Sequence, residues 1–201
     1  MLSVNELIHQ AEIAHGHLCA GQILGVRLAM LGLAKLGIDD PKGKDRKRLV
    51  TFVEIDRCAT DAIGVVTGCR LGKRALKFRD WGKMAATFVD LAAPIPDEGG
   101  SYKAIRVAAK ESSKELACVM HPEIENKNQQ QMLAYREMAD DDLFSTEWVK
   151  VELPAEEFPG FKGARIVCSH CGEGINYQRH VLHDGRALCR ACAGEAYYRA
   201  L

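Results

Sequence analysis

Neither sign of charge is in excess in this chain. Lys and Arg total 27 of the 201 residues and Asp and Glu total 27, so the formal net charge is zero. A protein built around nucleic acid ordinarily carries a basic footprint, so nucleic acid is not the expected partner. Long charge-free apolar runs are also missing. The most apolar stretch, LCAGQILGVRLAMLGLAKLG at 18–37, is interrupted by Gln22, Arg27 and Lys35. It reads as a helix buried in a soluble core, and no membrane association is expected. The start, MLSVNELIHQAEIAHGH, lacks a basic segment followed by an apolar one, so no signal peptide is read and a cytoplasmic protein with reduced thiols is expected. There is no internal repeat and no low-complexity tract.

What the chain does have is cysteine: eight residues, four of them in CSHCGEGINYQRHVLHDGRALCRAC. Cys168 and Cys171 form one C-x2-C pair, and Cys189 and Cys192 form a second after seventeen residues. Two such pairs can close a tetrahedron around one ion, and four thiolates favour zinc, with iron as competitor. A closed four-sulfur site has no open coordination position, so its role is structural. His170, His180 and His183 lie inside the motif but are not needed as ligands. The alternative is two unrelated thiol pairs or disulfides.

Hydrophobic residues make up 47% of the chain, enough for one full core and a small appended module. Ser3 followed by Glu6 is a capping-box start for a helix over 3–14. Further helices are predicted over 18–36, ending at Gly37, and over 58–68, closing on Gly68. Residues 48–55, 75–78, 85–91 and 146–153 read as strands. Residues 94–100 read as a loop, 102–120 and 123–138 as two helices broken at Pro122, and 190–200 as a helix carrying the second cysteine pair. The Pro-containing stretch LPAEEFPGF reads as the linker. The expected domains are therefore an α+β core over 1–155 and a four-cysteine module over 163–201.

Reactive side chains concentrate in three junctions of the core: HGHLCAG at 15–21, EIDRCATD at 54–61 and TGCRLGK at 67–73. Junctions are where a rigid scaffold presents functional groups. His15, His17 and Cys19 alternate: in an extended loop all three project to one side, and in a helix only His15 and Cys19, four apart, share a face. Cys58 opens a helix, where the dipole should favour its thiolate, although Asp56 and Asp61 nearby act in the opposite direction. Either carboxylate could instead orient a histidine. Cys69 follows the same helix, and a short helix would place both thiols in one cleft. The expected site is therefore His15, His17, Cys19, Cys58 and Cys69 with Asp61. Within it, His17, Cys19 and Cys58 are candidate ligands of a second metal, zinc or iron. A buried cysteine also serves as a small apolar residue and a histidine as a satisfied polar group, so spacing alone leaves both readings open. Cys118, inside a helical pattern, reads as core.

These motifs resemble the E-subunit family of formylmethanofuran dehydrogenase. The resemblance rests on HGHLCAG at 15–21, GVRLA at 25–29, EIDRCATDAIGVVTGCRLGKRAL at 54–76 and DWGKMAATF at 80–88, with the terminal four-cysteine module. The family commonly has proline after the first cysteine, where this chain has Ala20. The resemblance implies a thioredoxin-like core with a mixed sheet flanked by helices, followed by a treble-clef zinc finger. It also implies that both histidines with Cys19, Cys58 and Cys69 line a cleft able to hold a metal, and that the protein is a homodimer. It suggests partners among molybdenum or tungsten oxidoreductase subunits, and so a component of a one-carbon redox enzyme. No C-x-x-C lies in the first domain, so a thioredoxin-like fold would not bring thioredoxin chemistry. Two alternatives remain: a stand-alone metalloenzyme or redox protein using the core site, and a module that binds a partner through its zinc finger.

Overall fold

Ser3 starts the first helix as its sequence demands. Its side chain accepts the Glu6 N–H, and the Glu6 carboxylate accepts the Ser3 N–H, closing a capping box on α1 (Val4–His15). The computed structural model describes residues 2–96, 99–199 and 201. Helix α1 stops at Gly16, whose φ of +94° returns its N–H to the Glu12 carbonyl. Three residues later Cys19, in extended backbone, leads into α2 (Ala20–Leu36), which ends at left-handed Gly37.

Helix α2 forms the centre of the core, with Ile23, Val26, Leu28, Ala29 and Leu33 fully buried. Its glycines allow close approach. A Cβ on Gly25 would lie 2.5 Å from the Ala59 carbonyl oxygen, and one on Gly32 would lie 2.2 Å from Cδ2 of Phe88. The backbone of α2 therefore packs directly on α3 (Cys58–Thr67) and on the sheet beneath.

The sheet comprises β1 (Leu49–Val53), β2 (Leu76–Phe78), β3 (Ala85–Pro94), β4 (Ser101–Ala109) and β5 (Phe144–Glu152), in the order β2-β1-β3-β4-β5. It is mixed: β1 runs parallel to β2 and antiparallel to β3, and the remaining pairs are antiparallel. In register, Thr51 faces Phe88, Phe88 faces Ile105, and Ile105 faces Trp148. Between β4 and β5 lie α4 (Ser112–Met120), α5 (Lys127–Glu137) and the single turn α6 (Asp140–Leu143). The architecture is α+β with a mixed five-stranded sheet.

One expected helix is corrected here. Residues 101–109 form β4, and helix begins only at Ser112. SYKAIRVAA is rich in alanine, and local propensity favours helix. However, β3 and β5 each need a hydrogen-bonding partner along one edge, and β4 pairs with both. Ile105 and Val107 then point into the helical layer and pack in its core. The expectation for Cys118 is corrected as well, since it lies on the exposed side of α4 and meets Gln130 Oε1 at 3.4 Å.

Ion pairs lock the loops that lead to the site. Buried Glu54, one residue past β1, takes both prongs of the Arg106 guanidinium at 2.7 Å, and its carbonyl accepts the N–H groups of Trp81 and Lys83. Arg27, from the middle of α2, donates to the Tyr135 and Met138 carbonyls at the end of α5 and pairs with Asp140.

The chain divides into two compact units, Met1–Leu153 and Pro154–Leu201. In the second, β6 (Ile166–Val167) pairs with β7 (Gly174–Ile175), and β8 (Val181–His183) with β9 (Arg186–Leu188). The helix expected over 190–200 is a single wide turn, Ala191–Glu195, broken at Gly194 with φ +101°. Among the described residues, the buried core of this unit is Cys168, Ile175 and Leu188. That is too little apolar surface to hold a fold by itself. Among the described residues, no helix is long and apolar enough to cross a membrane.

Candidate functional site

Among the described residues, two groups of side chains have metal-ligand geometry. In the second unit, the Sγ atoms of Cys168, Cys171, Cys189 and Cys192 all lie within 4.8 Å of one another. Cys168 closes β6, Cys171 follows in the tight turn before β7, Cys189 follows β9 and Cys192 sits in the final turn. Backbone donors converge on the sulfurs: Cys189 N–H reaches Cys168 Sγ at 3.2 Å, and Cys192 N–H reaches Cys189 Sγ at 3.4 Å. Backbone N–H groups, led by that of Cys171, pull the Cys168 thiol down to about 6. The neighbouring Cys189 thiol, then burial, push Cys192 up to about 12. Four sulfurs so close cannot all ionise unless a cation neutralises them, so the donor set fits zinc.

The second group lies in the first unit. One ligand atom each from His15, His17 and Cys19 falls within 4.8 Å of the others. The left-handed turn at Gly16 brings this about, bending the chain between the two histidines so that their ring centroids are 4.7 Å apart. Nδ1 of His15 meets Oδ2 of Asp61 at 2.8 Å. With Nδ1 engaged, Nε2 is the nitrogen left for an ion, the usual carboxylate–histidine–metal arrangement. Asp56 is exposed.

Cys58 joins this neighbourhood as the first residue of α3. Its thiol interacts with that of Cys19, and a Cβ on Gly21 would lie 3.3 Å from Cys58 Cβ and 3.7 Å from Cys19 Sγ. Burial, then the Cys19 thiol, push the Cys58 pKa up, against weaker opposing pulls from its own backbone N–H and from Arg57. This differs from the lowering expected at a helix start, because desolvation and a like neighbour outweigh the dipole here.

Cys69 is not brought to the group. It is 3% exposed, accepts the Thr51 hydroxyl at 3.5 Å and lies 3.7 Å from the Leu49 carbonyl oxygen, inside the hydrophobic core. Cys58 and Cys69 lie at opposite ends of α3, which is ten residues long. At 1.5 Å per residue that is roughly 15 Å, too far for two thiols to share an ion.

A cavity of about 360 Å³ opens at Cys19, lined by Cys19 and Cys58 together with Lys110, Lys114 and Asn128. Asn128 Oδ1 accepts the Ala20 N–H at 3.2 Å, and Gln22 Nε2 donates to the Cys58 carbonyl at 2.6 Å. Sequence reasoning missed these supports. Gln22 did carry a signal: it is a carboxamide inside an apolar helix and is fully buried. Asn128 and the lysines carried none, since they come from segments distant in the chain. A larger groove of about 770 Å³, lined by α1, α2 and the end of α5, holds no thiol or imidazole.

Similarity to known proteins follows the same two units. Residues 14–145 match the family described as FmdE, molybdenum formylmethanofuran dehydrogenase operon. Residues 162–198 match the prokaryotic dksA/traR C4-type zinc finger. A protein of Archaeoglobus fulgidus named "Probable S-adenosyl-L-methionine-binding protein" is 30% identical over 216 residues, covering 96% of this chain. This chain spans about half of that relative, 54% of its length. Among solved structures, an FmdE-like protein of the tungsten formylmethanofuran dehydrogenase type, from Syntrophus aciditrophicus, superposes with a TM-score of 0.64. It is 23% identical, and the match covers 98% of this chain and 96% of that one.

Proposed function

The chain belongs to the FmdE family, and from that premise we propose that it is a metal-binding protein with two distinct centres, one structural and one that acts on a ligand. The observation that carries this reading is the trio His15, His17 and Cys19, whose ligand atoms lie within 4.8 Å of one another and whose cysteine also lines a cavity. Two imidazoles and a thiolate suit zinc or iron, and three protein ligands leave a position open. An ion bound there would supply Lewis acidity toward a group entering from the cleft. Asp61 orients His15 and sets its tautomer. Cys58, next to Cys19, is placed to complete the ligand set or to contact the ligand. Gln22 and Asn128 hold the two helix starts that carry the thiols. In the second unit, Cys168, Cys171, Cys189 and Cys192 close a structural zinc site. A turn between β6 and β7, a hairpin β8–β9 and a helical turn bearing the second pair support a treble-clef reading of that module.

The family's name connects it to formylmethanofuran dehydrogenase, and we propose an accessory role beside a molybdenum or tungsten oxidoreductase, in the cytoplasm and as a homodimer. The relative's name suggests S-adenosyl-L-methionine instead. That ligand carries a sulfonium and an ammonium against a single carboxylate, and in a cleft lined by Arg57, Lys110 and Lys114 against Glu111 only the carboxylate meets complementary charge. Metal analysis of anaerobically purified protein tests the reading. Two equivalents per chain are expected, falling to one in Cys19→Ser while the four-cysteine module keeps its ion. One equivalent in the unaltered protein would overturn the core centre.

A further inference from the structure

The cleft at Cys19 has a charge pattern that its thiols do not explain. The residues that line it include three cations, Arg57, Lys110 and Lys114, and one carboxylate, Glu111. Glu111 is already engaged with Lys114. The Lys110 ammonium meets only the neutral Asp141 carbonyl, and Arg57 has no carboxylate partner among the described residues. The lining residues therefore carry a net positive charge, three cations against one carboxylate. The starts of α2 and α3 reinforce it, because neither the Cys19 nor the Arg57 side chain caps the helix it precedes. Asn128 and Gln131 add amide groups, and Leu24 and Met84 add an apolar floor. The volume, about 360 Å³, lies at the lower end of small-molecule sites.

We propose that this cleft binds a small organic anion, its charged head among Arg57, Lys110 and Lys114 and its other end against the Cys19 and Cys58 thiols. The inference deepens the reading of the core site as a metal centre, and rests on it for which end of the ligand meets the ion. A carboxylate and a phosphate monoester present the same anionic head to such a wall, so the head group is settled by comparison. Charge-assisted contacts dominate the recognition, so affinity falls with added salt.

The test uses the full-length protein with its metal content counted, titrated calorimetrically with butyrate, monobutyl phosphate and butyramide. These share an apolar body and differ in the head. Binding of at least one anion, with no binding of butyramide, is expected. The preference between the two anions names the head group. The Arg57→Gln/Lys114→Gln variant should weaken the anion by about tenfold or more at unchanged metal content. Equal binding of butyramide and the anions, no binding by any of the three, or an unchanged affinity in the variant would overturn the proposal. Two metal equivalents without anion selectivity would remove this inference and leave the metal centre. Anion selectivity with a single equivalent would do the reverse.

Discussion

Nδ1 of His15 lies 2.8 Å from Oδ2 of Asp61, so the last residue of α1 is fastened to the first turns of α3 across 46 positions of sequence. This contact holds one ring nitrogen of the trio in a fixed role. Asp61 is more than half exposed, so its pairing adds little to stability and its effect should appear at the metal. Asp61→Asn should lower core metal affinity by about ten- to a hundredfold while leaving the zinc of the second unit in place. Competition with a chromophoric chelator reads both equivalents separately.

Cys189→Ser should unfold the second unit alone. Its buried core is three residues, one of them a ligand, and zinc contributes on the order of 10 kcal/mol to such modules. Limited proteolysis should then remove residues after about 154 and leave a resistant fragment matching the first unit. A protease-resistant second unit without metal would contradict this.

Gly25→Ala tests how tightly α2 is pressed on α3. The added Cβ would lie 2.5 Å from the Ala59 carbonyl oxygen and 2.7 Å from its Cα, both backbone atoms that cannot swing aside. Overpacking of this kind costs about 1–3 kcal/mol. Because Ala59 follows Cys58, the displaced helix should also weaken the core metal site. Denaturation followed by tryptophan fluorescence reports the first unit selectively, since both tryptophans, Trp81 and Trp148, lie in it.

Glu54→Gln should destabilise the same unit by about 3 kcal/mol, toward the low end for a broken buried pair because a quarter of the Arg106 side chain remains in solvent. A loss as large in Glu54→Gln/Arg106→Met would show that the pair is not what Glu54 contributes.

Burial holds the Cys69 thiol above its ordinary value near 9.0. The folded state therefore binds that proton more tightly than the unfolded chain does. This contribution to stability is present below about pH 9 and is lost as pH rises through the elevated folded-state value. Cys69→Val should flatten the alkaline fall in stability of the first unit, measured by urea unfolding from pH 8 to pH 10.

Much of this molecule is local, and local features were legible in the residues. Ser3 and Glu6 announce α1; Gly16, Gly37 and Gly68 each end a helix in the left-handed conformation. The C-x2-C pairs are tight turns whose spacing alone brings two sulfurs together. His15, His17 and Cys19 likewise lie within five residues, so a single bend at Gly16 is enough to gather them.

Where a feature depended on distant segments, the residues were silent or misleading. Alanine-rich 101–109 favours helix locally but becomes β4 because β3 and β5 need it between them. Cys58 and Cys69 sit at two ends of one helix, and only packing decides that the first faces the cleft while the second turns to Thr51 in the core. Cys58 gains Cys19 as its neighbour, and with it a raised pKa, only because Gly21 and Gly25 let α2 and α3 touch. The sequence by itself determined the ligand types, the helix ends and the four-sulfur module, since those follow from backbone preferences and spacings of a few residues. The tertiary structure alone decided which second thiol lies beside Cys19, what orients His15 and which cations line the cavity, because the contacts that build the site join residues 36 to 108 positions apart, and no local pattern encodes which of them meet.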